Sequence, residues 1–296
     1  MEYVKLNNGV EMPILGFGVY QIPKEETKKC VLDAINVGYR AIDTAQSYFN
    51  ESEVGDAIVE SGIPRSEFFI TTKIWIDNYG YEKCKTSVEE SLRKLKTDYI
   101  DLVLLHQPFS DYYGAYRALE DLYHEGKIKA IGVSNFYPDR LADMCLFGRE
   151  VVPAVNQVET NSMNAQFKAQ EVMQKYGVAI EAWAPFGEGK NGMFTNETLV
   201  NIGKKYGKTS AQVILRWLIQ RGVIIACKST HIERMEENFN VFDFELSDED
   251  MEKIKKLDSN DSLFFNHQDP DMVEWFDKMV KERRDNDDCR KEKKNW

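Results

Sequence analysis

The chain repeats one unit: a short apolar run, a turn, then an amphipathic stretch of helical length, with a period of about thirty residues. β-rich runs fall at Ala41 to Thr44, Phe68 to Ile74, Tyr99 to His106, Ile128 to Ser134, Val151 to Glu159, Val178 to Ala184 and Val223 to Lys228. Between them apolar residues recur at three and four, most clearly in Val88, Leu92 and Leu95 and in Val213, Ile214, Trp217 and Leu218, the spacing of one helix face. Thr209 and Ser247 stand where N-caps belong, with Gln212 and Asp250 at the starts of the helices they open. Strands joined by helical crossovers run parallel. A further run near Leu15 to Gly18 brings the strands to eight, the number that closes a parallel sheet on itself. The expected fold class is therefore α/β, a (β/α)8 TIM barrel, with a doubly wound open sheet as the alternative. Val4-Lys5-Leu6 and Val10-Glu11-Met12 alternate about Asn7-Asn8-Gly9, which predicts a β-hairpin closing the N-terminal end, or bottom, of the barrel.

A chain of 296 residues, 43% of them apolar, fits one such barrel around one core. A single domain over residues 1–276 is expected, followed by a charged tail over 277–296 that is either a frayed helix or disordered. The formal charge of -11 argues against a nucleic-acid or anionic-membrane surface, so any anionic ligand must be held by local cations. No apolar stretch approaches the ~18 residues of a membrane span, and the first residues show no signal-peptide pattern. Five dispersed cysteines without C-x-x-C spacing read as reduced thiols, and the compartment as cytoplasmic.

In a barrel the active site gathers at the C-terminal ends of the strands. Asp43, Lys73 and His106 end apolar runs, and Tyr48 follows in the loop after Asp43. Singly, each has an ordinary alternative: a cap, a core phenol, a snorkelling lysine, a histidine bonded to a backbone carbonyl. Jointly, four such positions aimed at one mouth make a proton donor. A lysine ammonium about 4 Å from the phenol would favour phenolate by on the order of 4 kcal/mol at an effective dielectric of ~20. That predicts a tyrosine more acidic than its usual value near ~10, by as much as about three pH units. Asp43 would keep Lys73 charged, and His106 would orient a substrate carbonyl. The competing metal chemistry lacks ligands: His106, His124, His231 and His267 show neither H-x-H nor H-E-x-x-H spacing.

With those residues in view the chain resembles the aldo-keto reductases, most closely the bacterial members related to 2,5-diketo-D-gluconate reductases, over about residues 5 to 276. The likeness rests on Gly38-Tyr39-Arg40-Ala41-Ile42-Asp43-Thr44-Ala45-Gln46-Ser47-Tyr48, Thr71-Thr72-Lys73-Ile74-Trp75, Leu104-Leu105-His106-Gln107-Pro108, Gly132-Val133-Ser134-Asn135-Phe136 and Asn156-Gln157-Val158-Glu159. Lys228-Ser229, Arg234 and Glu237-Asn238 complete it. The resemblance implies a catalytic tetrad of Asp43, Tyr48, Lys73 and His106, and NADPH as cofactor. Ser134, Asn135 and Gln157 would hold the carboxamide and Trp183 would stack on the nicotinamide. Phe186 and Gly187 open a glycine-rich loop, Gly187 to Gly192, that would lie over the pyrophosphate. That stretch matches G-x-G-x-x-G, but the acid a Rossmann unit needs is missing downstream.

Lys228, Ser229 and Arg234 would face the adenosine 2′-phosphate, a dianion that favours NADPH over NADH, and Glu237 and Asn238 would belong to the same cofactor site. The alternative is an ion pair between Arg234 and Glu237 on a solvated helix face. Tyr20, Trp75, Gln107 and Phe109 are expected substrate-pocket walls, with Leu263, Phe264 and Phe265 from the C-terminal loop; ordinary core is the alternative. Gln107 replaces a tryptophan frequent after the catalytic histidine, and Cys227 a proline frequent before Lys228. The expected activity is reduction of an aldehyde, ketone or keto-sugar by a monomer or weak dimer. A slow nucleotide-binding barrel subunit and a metal-dependent barrel hydrolase are the rival readings.

Overall fold

The structure, a computed structural model, describes residues 1–147 and 150–293, with side chains as far as Arg283 in the last helix. An antiparallel pair opens the chain, β1 (Tyr3–Lys5) and β2 (Glu11–Pro13), with Val4 opposite Met12. Gly9 in the intervening turn has φ of 88°, a conformation that favours glycine. Then come β3 (Leu15–Gly18), β4 (Ala41–Asp43), β5 (Phe69–Ile74), β6 (Ile100–Leu105), β7 (Ile128–Ser134), β8 (Val155–Glu159), β9 (Ala179–Trp183) and β10 (Ile224–Cys227). All pair in parallel in chain order, and β10 bonds both β9 and β3, so the eight strands form the closed barrel that the sequence rhythm predicts.

Helices α1 (Lys24–Val37), α2 (Glu51–Glu60), α3 (Tyr81–Leu95), α4 (Tyr112–His124), α5 (Pro138–Leu146), α6 (Phe167–Lys175), α7 (Glu197–Tyr206), α8 (Ser210–Gln220), α9 (Ile232–Phe239), α10 (Asp248–Lys255) and α11 (Pro270–Lys293) complete the fold. The predicted caps are in place. Thr209 and Gln212 form a reciprocal capping box on α8, and Ser247 Oγ accepts from the Asp250 amide at the start of α10.

Strand alternation sorts the core into two layers. Ile42, Ile70, Ile74, Val103, Leu105, Ile131 and Val133 face the helices. Ala41, Phe69, Leu102, Leu104, Ala130, Val155 and Ile224 face inward and pack with Leu6 and Met12 of the hairpin, which plugs the bottom as expected. Strand β8 begins at Val155 rather than at Val151, because Pro153 has no amide to give the ladder and restricts the residue before it. Helix α11 runs unbroken across position 276, and Phe276 and Val280 are both buried against Trp75 and Phe109 at the top of the barrel.

Candidate active site

Lys73 sits on the inward face of β5, two residues beyond Thr71 and four beyond Phe69, so the alternation that fills the bottom with a phenyl ring places an ammonium near the top. It is fully buried. Its three donor positions are used: Nζ reaches Asp43 Oδ1 at 2.5 Å, the Thr44 carbonyl at 3.0 Å and the Tyr48 hydroxyl at 3.3 Å. Asp43 ends β4, in register with Thr71 of β5, and its second oxygen accepts from Gln157 Nε2 at 3.0 Å. Tyr48 ends a short 3-10 turn over Gln46–Tyr48. An ammonium can only donate, so the Tyr48 oxygen is the acceptor and its own proton remains free for another group.

Burial pulls the lysine toward its neutral form, but Asp43 overcomes that, with Tyr48 and Glu181 assisting, and holds Lys73 above its usual range. For Tyr48 the balance corrects the sequence-based expectation. Lys73 does favour the phenolate, yet burial outweighs it and the Asp43 charge opposes it, so the phenol is pushed up to about 12 rather than down. Tyr48 is a protonated donor across the neutral range. His106, just beyond β6, is held well below its usual pKa by burial, by the Lys73 charge and by the more distant His267 and Arg283, so it is neutral. Its Nδ1 lies 3.4 Å from Ser47 Oγ, and its ring meets those of Tyr48 and Trp75 edge-on at centroid distances of 5.7 and 5.2 Å.

Next to this group the strand ends of β7, β8 and β9 build a polar shelf. Ser134 Oγ donates to the Gln157 carbonyl at 2.8 Å. Asn135, in the left-handed region at φ 65°, donates from Nδ2 to the His106 carbonyl at 3.1 Å and accepts Trp183 Nε1 on Oδ1 at 2.9 Å. The three residues expected around a carboxamide, and the tryptophan expected on the nicotinamide ring, thus share one network with the tetrad. Trp183 is half-buried, with Phe264 at 5.2 Å and Phe265 at 6.4 Å between ring centroids.

A groove of about 430 Å³ lies beyond the end of β10, lined by Phe186, Phe194, Thr209, Lys228, Ser229, Arg234, Glu237 and Asn238 among others. Lys228 and Arg234 enter no ion pair among the described residues. The alternative pairing of Arg234 with Glu237 is not formed, since Glu237 Oε1 accepts from Thr209 Oγ1 at 2.8 Å. Gly187, at φ 52°, opens the predicted loop, and a Cβ there would meet Leu263 at 2.7 Å and Met193 at 2.8 Å. No helix follows that loop at once, as α7 begins only at Glu197. Cys227, where a proline was expected, is buried with Sγ 3.6 Å from the Gly16 carbonyl, and burial pushes its thiol up to about 12.

The expected pocket walls divide. Tyr20 is exposed with its ring 4.9 Å from that of Tyr48, and Trp75 stands beside His106. Gln107 enters a network, its Oε1 2.8 Å from His267 Nε2 and 3.4 Å from Asn135 Nδ2. Phe109 packs on His267 and Phe276. Sequence reasoning missed Glu181, the mid-strand acid of β9, in register with Gln157. Glu181 is buried beside the Lys73–Asp43 pair with Oε2 unpartnered, and burial and the Asp43 charge raise its pKa. Its signal was a lone acid inside an apolar strand. His267 and Arg283 were also missed, because nothing in their local pattern connects them to the barrel mouth.

Among the described residues no group of three or more His, Cys, Asp or Glu is placed to hold a metal ion, and no helix is long and apolar enough to cross a membrane. Residues 14–259 match the model of the aldo/keto reductase family. The glyoxal reductase of Bacillus subtilis is 46% identical over 262 residues, which is 88% of this chain and 94% of that one. A solved structure described as a putative 2,5-diketo-D-gluconic acid reductase B is 37% identical, with a TM-score of 0.84 over 89% of this chain and 93% of that one. A Bombyx mori aldo-keto reductase solved in complex with NADP is 32% identical, with a TM-score of 0.85 over 89% of this chain and 95% of that one. A closed eight-stranded barrel, a lysine–phenol–carboxylate cluster at its C-terminal mouth and these likenesses agree: the chain belongs to the aldo/keto reductase family.

Proposed function

We propose that this oxidoreductase reduces the carbonyl of a small aldehyde, ketone or keto-sugar to an alcohol with NADPH, and that Tyr48 delivers the proton. The observation that carries the reading is the bond from Lys73 Nζ to the Tyr48 hydroxyl, 3.3 Å, with Asp43 on the far side of the ammonium. It leaves the phenolic proton free for a substrate oxygen. Reduced nicotinamide supplies the hydride when bound.

The residues then divide the work. An alkoxide forming on the substrate is a stronger base than the phenolate, so a phenol near 12 still donates to it. As the proton leaves, negative charge appears on the Tyr48 oxygen, and the Lys73 ammonium stabilises it where water is largely excluded. Asp43 keeps that ammonium charged and fixes its position. Neutral His106, beside Tyr48, offers an N–H to the carbonyl oxygen and orients it.

The groove fits the dinucleotide on its own chemistry. Two cations without an ion pair among the described residues, Lys228 and Arg234, line it in a chain with a net charge of -11 and suit a 2′-phosphate dianion, with Ser229 beside them. Ser134, Asn135 and Gln157 present the amide and hydroxyl groups that would hold a carboxamide, and Trp183 a ring face for the nicotinamide. Phe186 and Gly187 would cover the pyrophosphate, and Glu237 and Asn238 would border the adenosine. Cys30, Cys84, Cys145 and Cys227 are free thiols, which supports a cytoplasmic enzyme.

The test mixes purified protein with NADPH and a panel of carbonyls and follows the absorbance of the reduced nicotinamide. Turnover that Tyr48→Phe lowers by roughly 100-fold or more, with NADPH binding retained, is expected. Cofactor binding without turnover on any carbonyl would instead favour a non-catalytic subunit.

A further inference from the structure

We propose that Glu181 is a positioning residue of the reductase site, acting through Asp43 and Lys73, and that it must carry its own proton for Tyr48 to deliver one. The role rests on the reductase reading and adds to it an upper pH limit. It follows from how β9 is built. Ala179, Glu181 and Trp183 alternate onto the inward face, Ala179 against the apolar layer of the plug and Trp183 at the polar shelf, so the acid stands between the two. Glu181 is 2% exposed and level with Gln157 of β8. With Asp43, Thr71 and Ile224 it lines a small cavity of about 10 Å³, room for one water molecule at most.

Other buried acids of this chain have donors of their own. Glu120 accepts from the Glu150 and Val151 amides at 2.8 and 3.1 Å, Glu159 from the Leu263 amide at 2.9 Å, and Asp250 from Lys205 and Tyr206 at 2.6 and 2.7 Å. Glu181 Oε2 is sealed from solvent and makes no hydrogen bond, and the side chain shares with Asp43 a single amide, that of Gln157. The charged groups facing it are Asp43 from β4 and Lys73 from β5, while Gln157, Thr71 and Ile224 are uncharged. The ammonium cannot serve it as a donor, since its three hydrogens go to Asp43, Thr44 and Tyr48. One cation thus stands beside two carboxyl groups and is committed to one of them. Burial, with the Asp43 charge, holds Glu181 well above the usual carboxylate range against the pull of Lys73, so it is protonated at neutral pH.

Charge balance gives that proton its function. With Glu181 neutral, Asp43 and Lys73 cancel, and passing the Tyr48 proton to the substrate oxygen leaves one uncompensated negative charge in the cluster. Once Glu181 has lost its proton to solvent, the same transfer must create a second negative charge where water is largely excluded. The ammonium is then drawn toward two carboxylates instead of being held for the phenolate oxygen, and proton delivery slows. The reaction is otherwise unchanged: hydride joins the carbonyl carbon and the Tyr48 proton joins its oxygen.

The test follows kcat/KM for one carbonyl, at saturating NADPH, from about pH 6 to 10. The wild type is expected to lose activity along a one-proton limb, by up to about 10-fold per pH unit, lying below the value near 12 of Tyr48 itself. Glu181→Gln, which keeps the shape and cannot ionise, should show no limb over that range, and Glu181→Asp, which can, should restore it. The readout is the shape of the profile, because a merely structural glutamate would change its height alone. Infrared spectra give a second measure that needs no turnover. The wild type should show the C=O stretch of a protonated carboxyl at neutral pH, lost as the limb is crossed and absent from Glu181→Gln; should that variant not fold, a shift of the band in Glu181→Asp identifies it. A limb that Glu181→Gln leaves in place, a flat wild-type profile, or no such band at neutral pH overturns this inference alone. Failure of the wild-type enzyme to reduce any carbonyl overturns the reductase reading, and this inference with it.

Discussion

The two ends of the barrel are made from the same strands by the same alternation, and they differ in what they contribute. At the bottom, Phe69, Leu102, Leu104 and Ile224 close on Leu6 and Met12 in an apolar layer. Toward the top the same inward faces present Asp43, Lys73, Gln157 and Glu181, all buried and polar. Phe69 and Lys73 are four residues apart on β5 and point the same way. One removes apolar surface from water, worth ~1.5–3 kcal/mol for such a ring. The other carries a charge whose desolvation the pairing with Asp43 only offsets, so under the proposed mechanism it contributes to chemistry rather than to stability.

That contrast can be broken by paired substitutions. Lys73→Met should cut kcat by roughly 100- to 10,000-fold, since the phenolate forming at Tyr48 loses the ammonium beside it. Phe69→Ala should do the reverse: a loss of about 3–5 kcal/mol in denaturant unfolding with turnover per folded molecule retained. If the Phe69 variant lost turnover as completely as the Lys73 variant, the two ends would not be separable.

A smaller effect sharpens the picture at the mouth. Burial, with the Arg140 charge, pushes His267 down to about 4. Its folded pKa lies below the ordinary ~6.5, so the unfolded chain takes up this proton first as pH falls. The contribution is full above about 6.5 and is lost progressively toward 4, by up to about 3 kcal/mol. Thermal unfolding followed from pH 7 to 4 should show this slope, and His267→Gln should flatten it. An unchanged slope would mean that the segment leading into α11 is not tied down as described. Smallest is the cofactor end, where Arg234→Ala should weaken NADPH relative to NADH by about 10- to 100-fold in a binding titration. Equal affinities before and after would remove the 2′-phosphate assignment.

Legibility followed the same division. Strand period and crossover length are local properties, so eight strands, the plug and the strand-end positions of Asp43, Lys73 and His106 were readable, as were the Thr209 and Ser247 caps. The pKa of Tyr48 was misjudged because a pairwise Coulomb estimate omits enclosure, which depends on all the chain segments around the phenol. The early start expected for β8 ignored Pro153, a signal that was present. Glu181 hid in an apolar run, and α11 hid because its mixed charges conceal the two residues, Phe276 and Val280, that dock it. The tie of the Gln107 side chain to His267, 160 positions away in the chain, was not readable either, because it depends on how the last helix docks.

The central claim is that Lys73 acts through the Tyr48 oxygen. Turnover of Tyr48→Phe, Lys73→Met and the double variant, measured on one carbonyl with saturating NADPH, tests it directly. The account predicts that the double variant is no slower than Tyr48→Phe alone, since the lysine has nothing left to stabilise. Losses that simply multiply would contradict it and give the two residues independent roles.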